Sequence, residues 1–165
     1  MARSLTVLCL CLPTLAGAAG ADAPQITNGW SFAHWGMTMA QVRAASGGQA
    51  HAPSLVAGDS DNADTVDGGT QLGPYKFTVT LQYAGVGGLD SPLDTVELDL
   101  QTDDDKQCIP LKAYMTTRLG PHHTDGVNGH YVTSEWKVGQ NKITVERMRG
   151  ISCEIRIEPL EWDAQ

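Results

Sequence analysis

The chain has 165 residues, 11 Lys+Arg against 19 Asp+Glu, a formal net charge of −8 and only 6% aromatic residues. An acidic balance of this size argues against nucleic acid and against anionic membrane surfaces, because both recruit basic patches. It suits a protein kept in solution by its charge, or one that meets a basic partner.

The first residues, Met1-Ala2-Arg3-Ser4, are followed by an apolar run from Leu5 to Ala16 and the small-residue string Gly17-Ala18-Ala19-Gly20-Ala21. A short positive start, an apolar centre and an Ala-x-Ala end are the parts of a secretory signal peptide. Cleavage after Ala21 would leave Asp22 first; cleavage after Ala18 is the alternative. The run falls short of the roughly 20 residues that span a bilayer, and no second run comes closer. The expectation is a signal over 1–21 and one α+β domain over 22–165, working in the periplasm or outside the cell, with no membrane span and no nucleic acid. Arg3 is the one charge in the signal, so the remaining chain carries 10 basic against 19 acidic residues.

Cys9 and Cys11 lie inside the signal, and neither follows the tripeptide expected before a lipidated cysteine. Cys108 and Cys153 remain, with no Cys-x-x-Cys spacing. A lone pair in an exported domain predicts one disulfide. It would close a loop of about 46 residues, for which chain entropy gives roughly 4 kcal/mol.

Residues 22–36 gather Trp30, Phe32, His34 and Trp35. In Met37-Thr38-Met39-Ala40-Gln41-Val42, Thr38 and Gln41 form a capping box, and Met37 and Val42 are spaced as a hydrophobic staple. This helix should run to about Ser46 and stop at Gly47-Gly48. Residues 47–74, rich in Gly and Asp, read as a long irregular loop holding at most one short strand. Asp59-Ser60-Asp61-Asn62-Ala63-Asp64 opens like a calcium loop, but Asp or Asn at the fifth place, Gly at the sixth and Glu at the twelfth are missing. A solvated acidic loop is the reading.

Tyr75, Phe77, Val79, Leu81 and Tyr83 alternate with polar residues, which predicts a half-buried strand. Leu93–Gln101 follows, with Val96, Leu98 and Leu100 inward and Glu97 and Asp99 toward solvent. A second helix is predicted from about Lys106 to Leu119. Asp103, Asp104 and Asp105 sit at its positive end, Pro110 in its first turn, and Gly120-Pro121 stop it. Tyr131–Val138 and Lys142–Met148 read as a hairpin about Gly139-Gln140-Asn141. Ser152–Glu158 alternates Cys153, Ile155 and Ile157 against Glu154, Arg156 and Glu158. The order is α-β-β-α-β-β-β: an antiparallel sheet of five to six strands with both helices on one face. Each half begins with a helix and continues in strands, as a weak internal duplication would.

The segment Trp35-Gly36-Met37-Thr38-Met39-Ala40-Gln41-Val42 resembles the Gly-Met-Thr-x-x-x-Val opening of β-lactamase-inhibitor-protein repeats. It is also similar to that of the small SmpA/OmlA outer-membrane assembly lipoproteins. Arg118-Leu119-Gly120-Pro121 is similar to the Leu-Gly-x-Pro ending of such helices. The resemblance covers about a dozen residues. It implies a sheet-plus-helix scaffold of small exported bacterial proteins that often bind other proteins, and it transfers no binding residue.

Chemistry-bearing groups are sparse. His122, His123 and Asp125, with His130 five residues on, could hold zinc or a similar ion; a polar surface loop is the plainer reading. No Gly-x-Ser-x-Gly elbow and no phosphate-binding glycine motif is present. Trp35 and Trp136 read as core, and Trp30 and Trp162, near the termini, as exposed binding anchors. The expected function is a non-enzymatic protein-binding module of the bacterial envelope (inhibitor, immunity or assembly-accessory type) that needs no cofactor and meets another envelope protein. The alternative is a small metal-binding protein or hydrolase using the His122–His130 loop. A small-ligand carrier with a pocket between sheet and helices is a third possibility.

Overall fold

Thr38 and Gln41 close the first helix end as their spacing predicts. The Thr38 Oγ1 accepts from the Gln41 amide, and the Gln41 Oε1 accepts from the Thr38 amide at 2.9 Å. Helix α1 covers Met39–Ala45 and buries Met39 and Val42; Gly47 and Gly48 then take positive φ of 63° and 92°. The structure is a computed structural model that describes residues 27–53, 62–85, 88–102 and 104–160. The expected signal over 1–21, Cys9, Cys11 and Trp162 lie outside the described residues.

After α1 come β1 (Ala50–His51), β2 (Ala63–Val66), β3 (Thr70–Leu72), β4 (Tyr75–Tyr83) and β5 (Leu93–Leu100). A 3-10 turn, Asp105–Gln107, is capped by Asp104 and leads into α2 (Cys108–Leu119). Then follow β6 (Thr124–Asn128), β7 (Tyr131–Val138), β8 (Asn141–Met148) and β9 (Ser152–Pro159). Pro110 is the third residue of α2, where its missing N–H costs nothing. Gly120 ends the helix at φ 87°.

The strands form one antiparallel sheet in the order β1-β2-β4-β5-β9-β8-β7-β6, with β3 paired to β4. Nine strands replace the expected five to six. The additions are β1, β2 and β3 inside 47–74, and β6 inside the loop before Tyr131. Strands of two to five residues, mostly polar or Gly-flanked, carry no readable period. The two halves have matching layouts: a helix and then a meander, joined where β5 pairs β9 through Val96↔Ile157 and Leu98↔Ile155.

Alternation gives the sheet two unlike faces. One face carries Phe77, Val79, Leu81, Leu98, Trp136, Ile143, Ile155 and Ile157, each nearly inaccessible, and both helices pack on it through Met39, Val42, Leu111 and Met115. The disulfide Cys108–Cys153 is present and ties the start of α2 to β9. Two polar knots lock this layer. Asp64, wholly buried, takes Arg43 Nη2 at 2.7 Å and the Tyr83 hydroxyl at 3.0 Å. The expectation of a solvated Asp64 therefore fails: a buried carboxylate is tolerated where a guanidinium and a phenol satisfy it. Asn141 receives the Gly29 amide and the Trp35 indole N–H at Oδ1 and donates to the Gly29 carbonyl.

Candidate functional site

The opposite face is covered by no described element. It is built of threonines and charged side chains: Lys76, Thr78, Thr80 and Gln82 on β4, Glu97 and Asp99 on β5, Glu154, Arg156 and Glu158 on β9, Lys142, Thr144 and Glu146 on β8, and Thr133, Glu135 and Lys137 on β7. The expected outward direction of Glu97 and Asp99 is the one seen. Their neighbours give the face its character. Asp99 lies directly opposite Glu154, and Glu154 directly opposite Glu146. Three carboxylates thus stand in one row across adjacent strands, an arrangement that destabilises a sheet.

One guanidinium serves this group. Arg156, opposite Glu97, donates through Nη2 to Glu97 Oε1 at 3.0 Å and to Glu154 Oε1 at 3.3 Å. Its Nε is buried and has no partner among the described residues. Gln82 Nε2 donates to the second Glu97 oxygen at 2.7 Å. The side chains of Glu97 and Glu154 are each 18% exposed. Burial, ahead of any charge effect, pushes the carboxyls of Glu97, Asp99 and Glu154 above the usual carboxylate range. Burial works against the charge of Arg156, yet the surrounding Glu97, Glu154, Glu158 and Glu146 outweigh it and raise its pKa. Within the row Asp99–Glu154–Glu146, three carboxylates stand against one guanidinium.

The histidine loop is organised differently. Asp125 is a hub: its Oδ1 accepts from Lys112 Nζ at 2.7 Å and from the Ser134 hydroxyl at 2.6 Å, and its Oδ2 lies 2.9 Å from His122 Nε2. The lysine first, then Ser134 and His122, hold the Asp125 carboxyl down at about 2. An ionised carboxylate only accepts, so His122 Nε2 carries a proton, and Nδ1 is buried with no partner among the described residues. Here the carboxylate stands between serine and histidine. Activation of a serine needs the histidine in the middle, so this geometry orders the loop and gives Ser134 no base. Of the four expected metal ligands, His122 and Asp125 meet. His123 and His130 are exposed and do not join them, and no group of three or more metal-ligating side chains forms among the described residues.

Trp30 corrects another expectation. It is 4% exposed and edge-on to Phe32, so it is core and not an exposed anchor. The hairpin-like bridge Trp30↔Ala33 folds it inward. Trp136 is core as expected and donates its indole N–H to the Gly120 carbonyl. Trp35 is half-buried and borders a surface hollow of about 500 Å³ with Gly36, Gly139, Gln140, Pro159 and Leu160. That hollow lies at one end of the fold, where the small-ligand reading expected one between the layers.

No family model and no curated protein matches the chain. Among solved structures it is similar to YjgB, a DUF4309 family protein from Bacillus subtilis, with 12% sequence identity over 74% of this chain and 78% of that one, and a TM-score of 0.46. No helix among the described residues is long and apolar enough to cross a membrane.

Proposed function

We propose that this protein is an exported, non-enzymatic protein-binding module of the bacterial envelope, and that it presents the open face of its sheet to a basic partner. The row Asp99–Glu154–Glu146 carries the reading. Like charges in register cost stability in the free protein, and a lysine or arginine placed among them by a partner would remove that cost. Surrounding threonines supply short, stiff hydrogen-bonding side chains around the charged row. The disulfide and the signal-like first residues support an oxidising compartment outside the cytosol.

The test is site-specific photo-crosslinking in intact cells. A photoreactive residue replaces Thr78, on the open face beside Asp99, or Ala113, on the exposed side of α2. The expected result is a discrete adduct from position 78 alone, lost in a D99N/E154Q double variant and weakened by added salt. Equal labelling from both positions, or an adduct indifferent to the two carboxylates, refutes the proposal.

A further inference from the structure

The sheet ends at β6, and no described strand pairs with its outer side. Natural edges are usually blunted by lysine, proline or a bulge. β6, Thr-Asp-Gly-Val-Asn, has none of these: its five residues pair without interruption to β7 about a tight turn at Gly129-His130. Its one charge, Asp125, is consumed by Lys112, Ser134 and His122. The edge is left open to an extended backbone.

Two exposed apolar side chains flank it. Lys112 reaches from α2 to Asp125, so the Lys112 flank of the helix faces β6. Ile109, one turn earlier, shares that flank, and Val127, two residues after Asp125, shares its face of the strand. Ile109 is 60% and Val127 69% exposed, high values for such side chains. Val132, opposite Val127, is half-buried, and Arg147, next across the sheet, is tied to Asp105 at 2.6 Å. The Lys112–Asp125 pair closes one end. At the other, exposed His130 and Arg149 are joined through the Arg149 amide and the His130 carbonyl, giving a basic rim on an acidic protein.

We propose that β6 is a strand-addition site for an extended segment of another protein, with an apolar residue set between Val127 and Ile109 and acidic residues toward His130 and Arg149. Main-chain bonds to the edge would supply affinity, and the two apolar side chains the choice of residue. A second copy of this chain fits poorly. Two-fold pairing about Gly126 sets Val127 against the partner copy's carboxylate at position 125, and the register that joins the two valines pairs only three residues.

The probe is a phage-displayed library of eight-residue peptides selected on the oxidised mature protein, with the enriched peptides then synthesised. The expected enrichment is one central apolar residue among β-branched ones with an acidic end. Ile109→Asp and Val127→Asp should each weaken binding at least tenfold with an unchanged melting temperature, since both sites are exposed. N-methylation of alternate peptide amides should abolish binding, and methylation of the intervening ones should spare it. E154Q should leave peptide affinity unchanged, which separates this site from the open face. Three results would overturn the proposal: no enriched peptide, peptides indifferent to both aspartates, or a wild-type dimer in sedimentation that Val127→Asp converts to monomer.

Discussion

Removing one charge from the acidic row should make the protein more stable. In Glu154→Gln the side chain keeps its shape and loses its charge. Glu154 faces two like charges directly across the flanking strands, Asp99 and Glu146, a third, Glu97, on the diagonal, and one opposite charge, Arg156, at 3.3 Å. Directly opposed side chains sit about 5 Å apart. Coulomb's law then gives each pair between about 0.8 kcal/mol in water and roughly 3 kcal/mol at an effective dielectric of 20. Three repulsions against one attraction, itself shared with Glu97, leave a net repulsion, and solvent access holds it to about 1 kcal/mol. For a domain of this size that raises Tm by about 3–5 °C. The assay is thermal unfolding by circular dichroism at pH 7 in low salt, repeated in 0.5 M NaCl, where screening should shrink the gain. Glu97→Gln is the control: Glu97 holds both Arg156 and Gln82, so its neutralisation should bring no gain. An E154Q protein that melts below the parent would show that Arg156 satisfies the row, and the reasoning would fail.

The same groups set a pH dependence. Asp94, Glu97, Asp99 and Glu154 have carboxyls raised mainly by burial, so the folded state binds their protons more tightly than the unfolded chain does. Their contribution is fully present below the unfolded carboxylate range of about 4 and is lost as pH rises through the raised values; Tm should therefore increase as pH falls from 7 toward the ordinary carboxylate range. Asp125 and Asp105, held low by Lys112 and Arg147 respectively, act in the opposite sense and lose their contribution as pH falls below about 4, so a Tm that falls steadily from pH 7 downward would contradict the assignment. Asp64→Ala, which leaves Arg43 and Tyr83 facing an empty site, should cost about 3–5 kcal/mol in urea unfolding. Reducing Cys108–Cys153 should cost about 4 kcal/mol by the same measurement, and equal midpoints with and without reductant would refute a stabilising bridge.

The parts of this fold that were plain in the sequence are those whose order is local. The capping box at Thr38, the alternation from Tyr75 to Tyr83, the stop at Gly120 and the cysteine pair each declare themselves within a few residues. What stayed hidden depends on distant partners. Asp64 looked solvated because its partners, Arg43 and Tyr83, are each about 20 positions away. Trp30 sits near a terminus in the sequence, and only its bridge to Ala33 turns it into the core. β6 has a single inward apolar residue, Val127, and owes its existence to β7. The outward phases of Asp99, Glu146 and Glu154 were readable one strand at a time. Their standing in one row requires β9 to lie between β5 and β8, and no local pattern states that.

That placement of β9 also governs the order in which the molecule can be assembled. The last strand to be synthesised among those described is the central one, and its partners β5 and β8 are already made when it arrives. A nascent chain that stops before Ser152 can build a helix and meander from each half, but it lacks the strand that joins their sheets. Each half then exposes a long inner strand as a temporary edge, β5 in one and β8 in the other. Such edges invite pairing with other chains while closure waits on contacts some 60 residues apart. A late-arriving keystone of this kind keeps the unfinished chain loose, and it makes the final strand the step at which two separate hairpin layers become one protein.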